Sequence, residues 1–506
     1  MGFENLLLGF QVALQPHNLL LAVIGVALGT IIGVLPGLGG ANGVAILLPL
    51  TFSMQPTSAI ILLTSLYWGA LFGGAITSIL FNIPGEPWSV ATTFDGFPMA
   101  RNGQGGQALT AAFTSSFVGA FFAVVLITLF APLLAEVALK FGPPEFFAIQ
   151  LLTFSAFVGL GGGSPLKSLV SVLIGFIMAS VGLDIVTGTL RMTFGITDLM
   201  KGFDFIVAVI GLFGIGEILL TMEEGLAFRG ASAKMRPRVV WDTWRILPRY
   251  WRTFLRSCFI GFWMGFKPGG ATPASFMSYS FAKRFSKRSE RFGQGDIEGV
   301  VAPETAAHAA GVAAMLPMIT LGIPGSPTAA VMLGGLIIWG LQPGPMLFKE
   351  KPDFVWGLIA SMYTGNVIGV MMVLAFVPLF AAILRVPFAI LTPLIVSVCA
   401  VGAYSVNGRM IDIWYMLMFG VIGYVFKKLD YPLAPLVLAL VLGDLAENAL
   451  RQSLIMSQGS LLIFLERPIS GAITAVALFF FGLPAITPWW RRVRGRPVPV
   501  GAARGH

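Results

Sequence analysis

Charge is what this chain of 506 residues has least of: Asp, Glu, Lys and Arg make up only 11% of it. Hydrophobic residues make up 56%, and the mean hydropathy is +0.85. A water-soluble domain cannot hide that much apolar surface, so lipid must be the solvent for most of the chain. Cysteine is nearly absent. Cys258 and Cys399 both lie in apolar segments and read as inert packing residues. The three histidines, His17, His308 and His506, are too few and too scattered for a metal cluster, so no cofactor and no metal beyond a coupling Na+ are expected. A basic n-region followed by a small-residue cleavage site is also missing. The opening "MGFENLLLGF" reads as a short interfacial segment or the start of a mature membrane chain. The net charge of +9 comes from 32 Lys and Arg against 23 Asp and Glu. In a lipid-dissolved chain such an excess marks cytoplasmic loops, and nucleic acid is not expected as a partner.

What the chain has in quantity is long apolar runs. Stretches able to cross a bilayer lie near 57–82, 107–135, 146–161, 166–184 and 204–221, then near 300–322, 354–384, 387–406, 411–426 and 431–448, with an extra one at 461–482. The two series share landmarks in the same order. "IPGEP" (83–87) recurs as "IPGSP" (323–327), "FAI" after a proline recurs at 147–149 and 388–390, and "GLFGIGEIL" (211–219) has an echo in "LGDLAENAL" (442–450) that aligns Glu217 with Glu447. "GVLPGLGGANG" (33–43) recurs as "GFKPGGATPAS" (265–275), each putting Pro and Gly where a spanning helix wants leucine. The order of landmarks indicates an internal duplication.

Loop charge sets the orientation. Arg229, Lys234, Arg236, Arg238, Arg245, Arg249, Arg252 and Arg256 precede the second Pro-Gly segment, and "KRFSKRSER" follows it, so both flanks are cytoplasmic. Residues 257–282 then form a re-entrant hairpin. The same topology leaves Arg385, Lys427-Lys428 and the "WWRRVRGR" tail (489–496) in the cytoplasm, with Trp489-Trp490 at the interface. If the first Pro-Gly segment is also a hairpin, each half makes five crossings and the second half is inverted; if the segments cross as broken helices, the repeats are parallel. The hairpin reading is favoured. The expected fold is an all-α polytopic membrane protein with about 11–12 transmembrane helices, two re-entrant hairpins and two inverted-topology repeats. The expected boundaries are a first repeat over 1–227 with its hairpin near 17–52, a basic cytoplasmic connector over 228–256, a second repeat over 257–455 with its hairpin near 257–282, an extra C-terminal helix over 456–490 and a basic cytoplasmic tail over 491–506.

Irregular backbone at membrane depth survives only where it is buried in protein or lines a wet cavity. Hairpin tips offer helix N-termini to anions and free carbonyls to small cations, and glycine lets a ligand approach the backbone. The alternative is a kink that permits tight helix packing. Duplication with polar neighbours favours a site, so the candidate substrate residues are Pro36, Gly37, Leu38, Gly39, Gly40 and Asn42 with Lys267, Pro268, Gly269, Gly270, Ala271, Thr272 and Ser275. Lys267 is the candidate partner of a substrate carboxylate, against the alternative of a lysine snorkelling to the interface. Candidate cation-coupling residues are Glu86, Glu304, Thr305, His308 and Ser326. Glu304 and His308, four apart, share a helical face. Glu86 and Ser326 hold the same place in the two "IPG" motifs. The segment 86–106, with Asp95 and Arg101, reads first as an ordinary cytoplasmic loop.

These motifs resemble the large membrane subunit of the tripartite tricarboxylate transporters, the TctA family. The resemblance covers roughly residues 1 to 490 and is carried by "GVLPGLGGANGVAILLPLTF" (33–52), "ILFNIPGEPWSVATTFDGFPMAR" (79–101), "FGQGDIEGVVAPETA" (292–306) and "LGIPGSPTAAVMLGGLIIWGLQPGPMLF" (321–348). It implies ion-gradient-driven import of carboxylates such as citrate across a bacterial inner membrane. It also implies two partners: a small membrane subunit of about four helices, and a periplasmic solute-binding protein that delivers the substrate. The family's Pro-Gly substrate region maps onto Pro36 to Gly40 and Pro268 to Ala271. Two departures stand out: Ala307-His308 where the family has a pair of asparagines after "APET", and Lys267 where relatives more often carry an apolar residue. Both point to a substrate other than citrate.

Import of a trianion against an inside-negative potential costs roughly 7 kcal/mol per 100 mV before any concentration gradient. Symport of Na+ or H+ would offset it, with alternating access by one rigid unit moving against the rest in an elevator-like way. A passive carboxylate channel or exchanger is the alternative, identified by uptake indifferent to Na+ and proton gradients. A membrane-embedded enzyme would need His, Asp or Cys clustered at the membrane face, and the sequence offers none.

Overall fold

The computed structural model describes residues 2–35, 38–160, 164–184, 187–224, 235–267, 269–383 and 388–493. The tip residues Pro36, Gly37 and Pro268, connector residues 225–234, Arg385 and tail residues 494–506 lie outside these, as do the side chains of Trp489 and Trp490.

The chain is an all-α polytopic membrane protein. Its first half runs α1 (Gly2–Ala13), α2 (Pro16–Val34), α3 (Gly39–Leu47), α4 (Pro56–Phe81), α5 (Val90–Met99), α6 (Gly105–Ala138), α7 (Pro143–Leu160), α8 (Pro165–Ala179), then α9 (Phe205–Val209) and α10 (Gly216–Glu224) joined by a π turn. The second half runs α11 (Pro237–Ile246), α12 (Trp251–Gly265), α13 (Ala271–Phe285), α14 (Ile297–Ala313), α15 (Met315–Leu321), α16 (Pro327–Ile338), α17 (Pro345–Glu350), α18 (Pro352–Ile383), α19 (Phe388–Asn407), α20 (Met410–Lys428) and α21 (Leu433–Met456). After it come α22 (Ile463–Glu466) and α23 (Pro468–Val493). Among the described residues the only strands, β1 (Gly182–Leu183) and β2 (Leu190–Arg191), make one short antiparallel pair with Gly182 opposite Arg191.

Among the described residues eight helices are long and apolar enough to cross a membrane, and five shorter apolar helices accompany them. Proline opens many helices, including α2, α4, α8, α16 and α18, where its missing N–H costs nothing. Asp204 and Asp296 cap α9 and α14 by accepting from Ile206 N–H and Glu298 N–H, both at 2.9 Å.

Two helices form the centre. Every residue of α14 is buried, and α4 is buried without interruption from Ser58 to Leu80. α2 packs on α4 as α12 packs on α14, while the long helices exchange partners: α6 lies on α14 and α18 on α4. Small residues permit the close contact. A Cβ at Gly29 or Gly33 would overlap the carbonyl oxygen of Leu66 or Ala70, and one at Gly261 would overlap that of Ala306. Gly29, Gly33 and Pro36 stand at one offset, 232 residues, from Gly261, Gly265 and Pro268.

The segments expected to cross form helices, most within a few residues of their expected ends, but the span expected to end at 448 runs on to Met456 in α21, and the one expected at 461–482 forms later, as α23. The expected crossing near 300–322 forms in two pieces, α14 and α15. Segment 86–106 is not a plain loop. It winds into a 3-10 turn and α5 and leads into α6, and it buries Asp95 completely. The short helix α16 was not anticipated either.

Candidate functional site

The two "IPG" motifs begin at matching helix ends. Asn82 ends α4 and Gly322 ends α15, both in the left-handed conformation, at φ 58° and 72°. In each case the next residue's N–H reaches back over the last turn: Ile83 to Thr77 O at 3.3 Å and Ile323 to Pro317 O at 3.1 Å. This arrangement closes a helix and releases the chain at a fixed angle. Pro84 and Pro324 then keep it from resuming.

Each hairpin tip is tied to the "IPG" motif of its own half. In the first, Gly39 turns at φ 47° and Gly40 N–H donates to Glu86 Oε1 at 2.7 Å. In the second, Gly269 turns at φ 69° and its N–H donates to the Gly325 carbonyl at 3.1 Å. The first tip is thus occupied by the chain's own carboxylate, whereas the second is held by a neutral carbonyl. Ser326, where the first motif has Glu86, turns instead to its own helix and accepts from Ala329 N–H at 3.1 Å.

Contacts also cross between the halves. α3 packs against α16, and Gly40 faces both the Tyr67 ring and Thr328 Oγ1. Tyr67, buried in α4, lies close to Ser326. Ser275 in α13 donates to Trp88 O at 2.7 Å, just beyond Glu86. Both tips and both "IPG" motifs therefore converge on one region. Of the other expected residues, Leu38 and Asn42 are buried beside the first tip, Gly270 is buried at the second, and Ala271 and Thr272 are half-buried in the first turn of α13.

Lys267 sits half-buried beside the second tip, and among the described residues its side chain has no ion pair or hydrogen bond. Lys427, read from sequence only as a topology marker, is instead a mostly buried ion-pair partner of Glu217 and lies near enough to Glu86 for their charges to interact. Lys428 does stay at the surface, paired with Glu223 at 2.6 Å. Glu447, which sequence aligned with Glu217, is also paired, to Arg191 at 2.9 Å and to Arg451.

Glu304 and His308 lie elsewhere along α14, together and fully buried. Glu304 accepts from Thr92 Oγ1 at 2.6 Å and Ser116 Oγ at 2.9 Å. His308 Nδ1 is 3.1 Å from the Glu304 carbonyl oxygen and 3.5 Å from Glu304 Oε2. Thr305 is not part of this group: its hydroxyl donates to Val301 O, and its own carbonyl packs against Gly119. Asp95, missed by the loop reading, ties the halves together. Its Oδ1 accepts from the N–H groups of Gly293, Gly295 and Asp296, and its Oδ2 accepts from Tyr279 Oη. The Gly-rich "FGQGD" was the available signal, since such turns bare N–H groups to a carboxylate.

A cleft of about 630 Å³ opens beside the second "IPG" motif at Leu321 and Gly322. Its lining is apolar except for the amides of Gln150, Gln342, Asn448 and Gln452, so it offers hydrogen bonds without fixed charge. Gln150 Oε1 is buried there with no protein partner among the described residues.

Residues 19–438 match the tripartite tricarboxylate transporter TctA family. An uncharacterised 52.8 kDa protein in the TAR-I ttuC' 3' region of Agrobacterium vitis is 40% identical over 476 residues, 94% of each chain. A second Agrobacterium vitis protein, from the TAR-II ttuC' 3' region, is 39% identical over 216 residues, 42% of this chain and 89% of its own. No solved structure matches the chain. With the family match spanning most of its length, this chain belongs to the tripartite tricarboxylate transporter TctA family.

Proposed function

We propose that the chain is the large membrane subunit of an ion-gradient-driven importer of tricarboxylates or related carboxylates in a bacterial inner membrane. A small membrane subunit and a periplasmic solute-binding protein complete it. The observation that carries this reading is the convergence of both tips and both "IPG" motifs, with Lys267 beside the second tip and without an ion pair among the described residues. Glu86 already fills the first tip, so the substrate carboxylate goes to the second. There Lys267 supplies the cation, and the α13 N-terminus adds free N–H groups. Thr272 and Ser275 lie in the first two turns of that helix.

The two halves are inverted repeats on this reading. Equivalent elements follow in the same order, and α6 and α18 trade places on α14 and α4. Sidedness from loop charge is supported by the ion pairs. Arg467–Glu145, Arg451–Asp184 and Arg409–Asp198 each join ends assigned to the outer face, and Lys427–Glu217 joins ends assigned to the inner face. The amide-lined cleft then opens outward, where a binding protein would deliver substrate. Coupling to Na+ or H+ supplies the work, with one rigid unit moving against the rest.

The test is uptake into proteoliposomes holding the companion subunits, with a panel of labelled di- and tricarboxylates and imposed Na+ or pH gradients. Lys267→Ala is expected to raise the KM of the accepted carboxylate at least tenfold, about 1.4 kcal/mol of lost binding, with Lys267→Arg recovering part of it. Unchanged KM in Lys267→Ala would remove the site assignment. Uptake indifferent to both gradients would make the protein a channel or exchanger.

A further inference from the structure

We propose that Glu304 and His308 are the site that carries the coupling ion, and that this ion is a proton. The inference rests on the import reading above and names the coupling chemistry it leaves open.

The geometry of the ring decides where a proton can go. Nδ1 lies against the Glu304 carbonyl, which can only accept, so Nδ1 carries the hydrogen. Nε2 then presents a bare lone pair, and it is buried with no partner among the described residues. On the other side of the pair, Glu304 Oε1 and Oε2 each accept one hydroxyl, from Thr92 and Ser116. No lysine or arginine pairs with Glu304 among the described residues. An unneutralised carboxylate at this depth is costly. One added proton, on Nε2 or on the carboxylate, makes the pair neutral overall. Hard cations take oxygen ligands, and an imidazole closes one side of this carboxylate.

The neighbouring titratable groups are otherwise engaged. Asp95 on α5 is held by three backbone N–H groups and Tyr279. Glu298, earlier on α14, accepts from Thr253 and Ser286. Arg256 on α12 reaches Thr253, and Tyr67 on α4 lies close to Ser326. Cys258 on α12 is a buried free thiol.

Two features suit the pair to coupling. Its hydroxyl partners, Thr92 and Ser116, belong to α5 and α6 of the first half, whereas Glu304 belongs to α14 of the second. The charged carboxylate therefore ties the halves with two charge-assisted hydrogen bonds, and protonation weakens that tie. The ionisable pair is also absent from the repeat-related place. At the 240-residue offset of the "IPG" motifs stand Thr64 and Trp68, and Thr64 Oγ1 meets Ser361 Oγ of α18 at 3.5 Å. The scaffold itself works with neutral groups there. In the cycle the proton comes from outer water, crosses on the pair with the substrate, and leaves to inner water; no other bond is made or broken.

The test uses the full chain with its companion subunits in proteoliposomes, probed with labelled citrate and with whichever carboxylate of the panel the wild type accumulates best. The expected result is accumulation by the wild type under an inward proton gradient without Na+. Glu304→Gln should lose at least tenfold of that accumulation while keeping gradient-free counterflow of the same carboxylate, which also reports that the variant is folded. Ser116→Ala, which removes one hydroxyl donor and leaves the carboxylate, should shift the pH profile of accumulation to alkaline pH. Wild-type accumulation that needs Na+ and ignores the proton gradient overturns the proposal. So does proton-driven accumulation that survives in Glu304→Gln, or an unmoved pH profile in Ser116→Ala. Absence of carboxylate counterflow in the wild type is a separate result that defeats the import reading and the proton site with it.

Discussion

Lys427 and Glu217 show how a residue's meaning changes once its neighbours are known. In sequence Lys427 is one of a basic pair at a helix end, an ordinary mark of the cytoplasmic face. Folded, it is mostly buried against Glu217, close to Glu86 and so to the first tip. Removing one partner of a buried pair strands the other charge, which costs about 3–5 kcal/mol. Lys427→Met is therefore expected to lower the melting temperature in detergent sharply, and Lys427→Met with Glu217→Gln to recover most of the loss. A single substitution as well tolerated as the double would show that the pair does not form. The Glu86 and Ser326 positions make the opposite point. The substitution between repeats was visible in the sequence, but the consequence was not, because it depends on Gly40 lying 2.7 Å from Glu86 Oε1.

Among elements, the glycine register of α2 and α12 has the most direct consequence. Gly29 and Gly33 let α2 touch the α4 backbone, and Gly261 and Gly265 do the same for α12 on α14. Overpacking in a filled core costs typically about 1–3 kcal/mol and more when backbone must move. Gly29→Leu and Gly261→Leu are each expected to reduce the monodisperse folded fraction on size exclusion, whereas Gly459→Leu, with open space around it, should change it little apart from the strain of its positive φ. Equal behaviour of all three would refute close packing as the reason for the register. Most of this level was legible in advance, since long apolar runs have no alternative to helix in lipid. The exceptions are instructive. α5 and α16 are short, and α5 carries polar residues and Pro98, so hydropathy alone could not separate them from loops. The matching Gly-x-x-x-Gly-x-x-Pro strings were present in the sequence and relate the repeats more tightly than the landmarks used to find them.

For the whole molecule the open issue is orientation, and α20 offers a clean handle. It joins Met410, 64% exposed, to Leu429, 54% exposed, and the loop charges put the first outside and the second inside. The two native cysteines are buried, so an impermeant maleimide should leave the wild type unlabelled. Met410→Cys is then expected to label in intact spheroplasts, and Leu429→Cys only in inside-out vesicles or after permeabilisation. The same sidedness places Glu145, Asp184 and Asp412 outside with their arginine partners, and it opens the amide-lined cleft toward the periplasm. One wrong label would therefore reverse more than a helix. It would turn the cleft to the cytoplasm and make the second hairpin, with Lys267, enter from the outer face instead of the inner one. Labelling of both positions from one face would instead mean that α20 does not cross, which would break the five-crossing count that makes the two halves inverted.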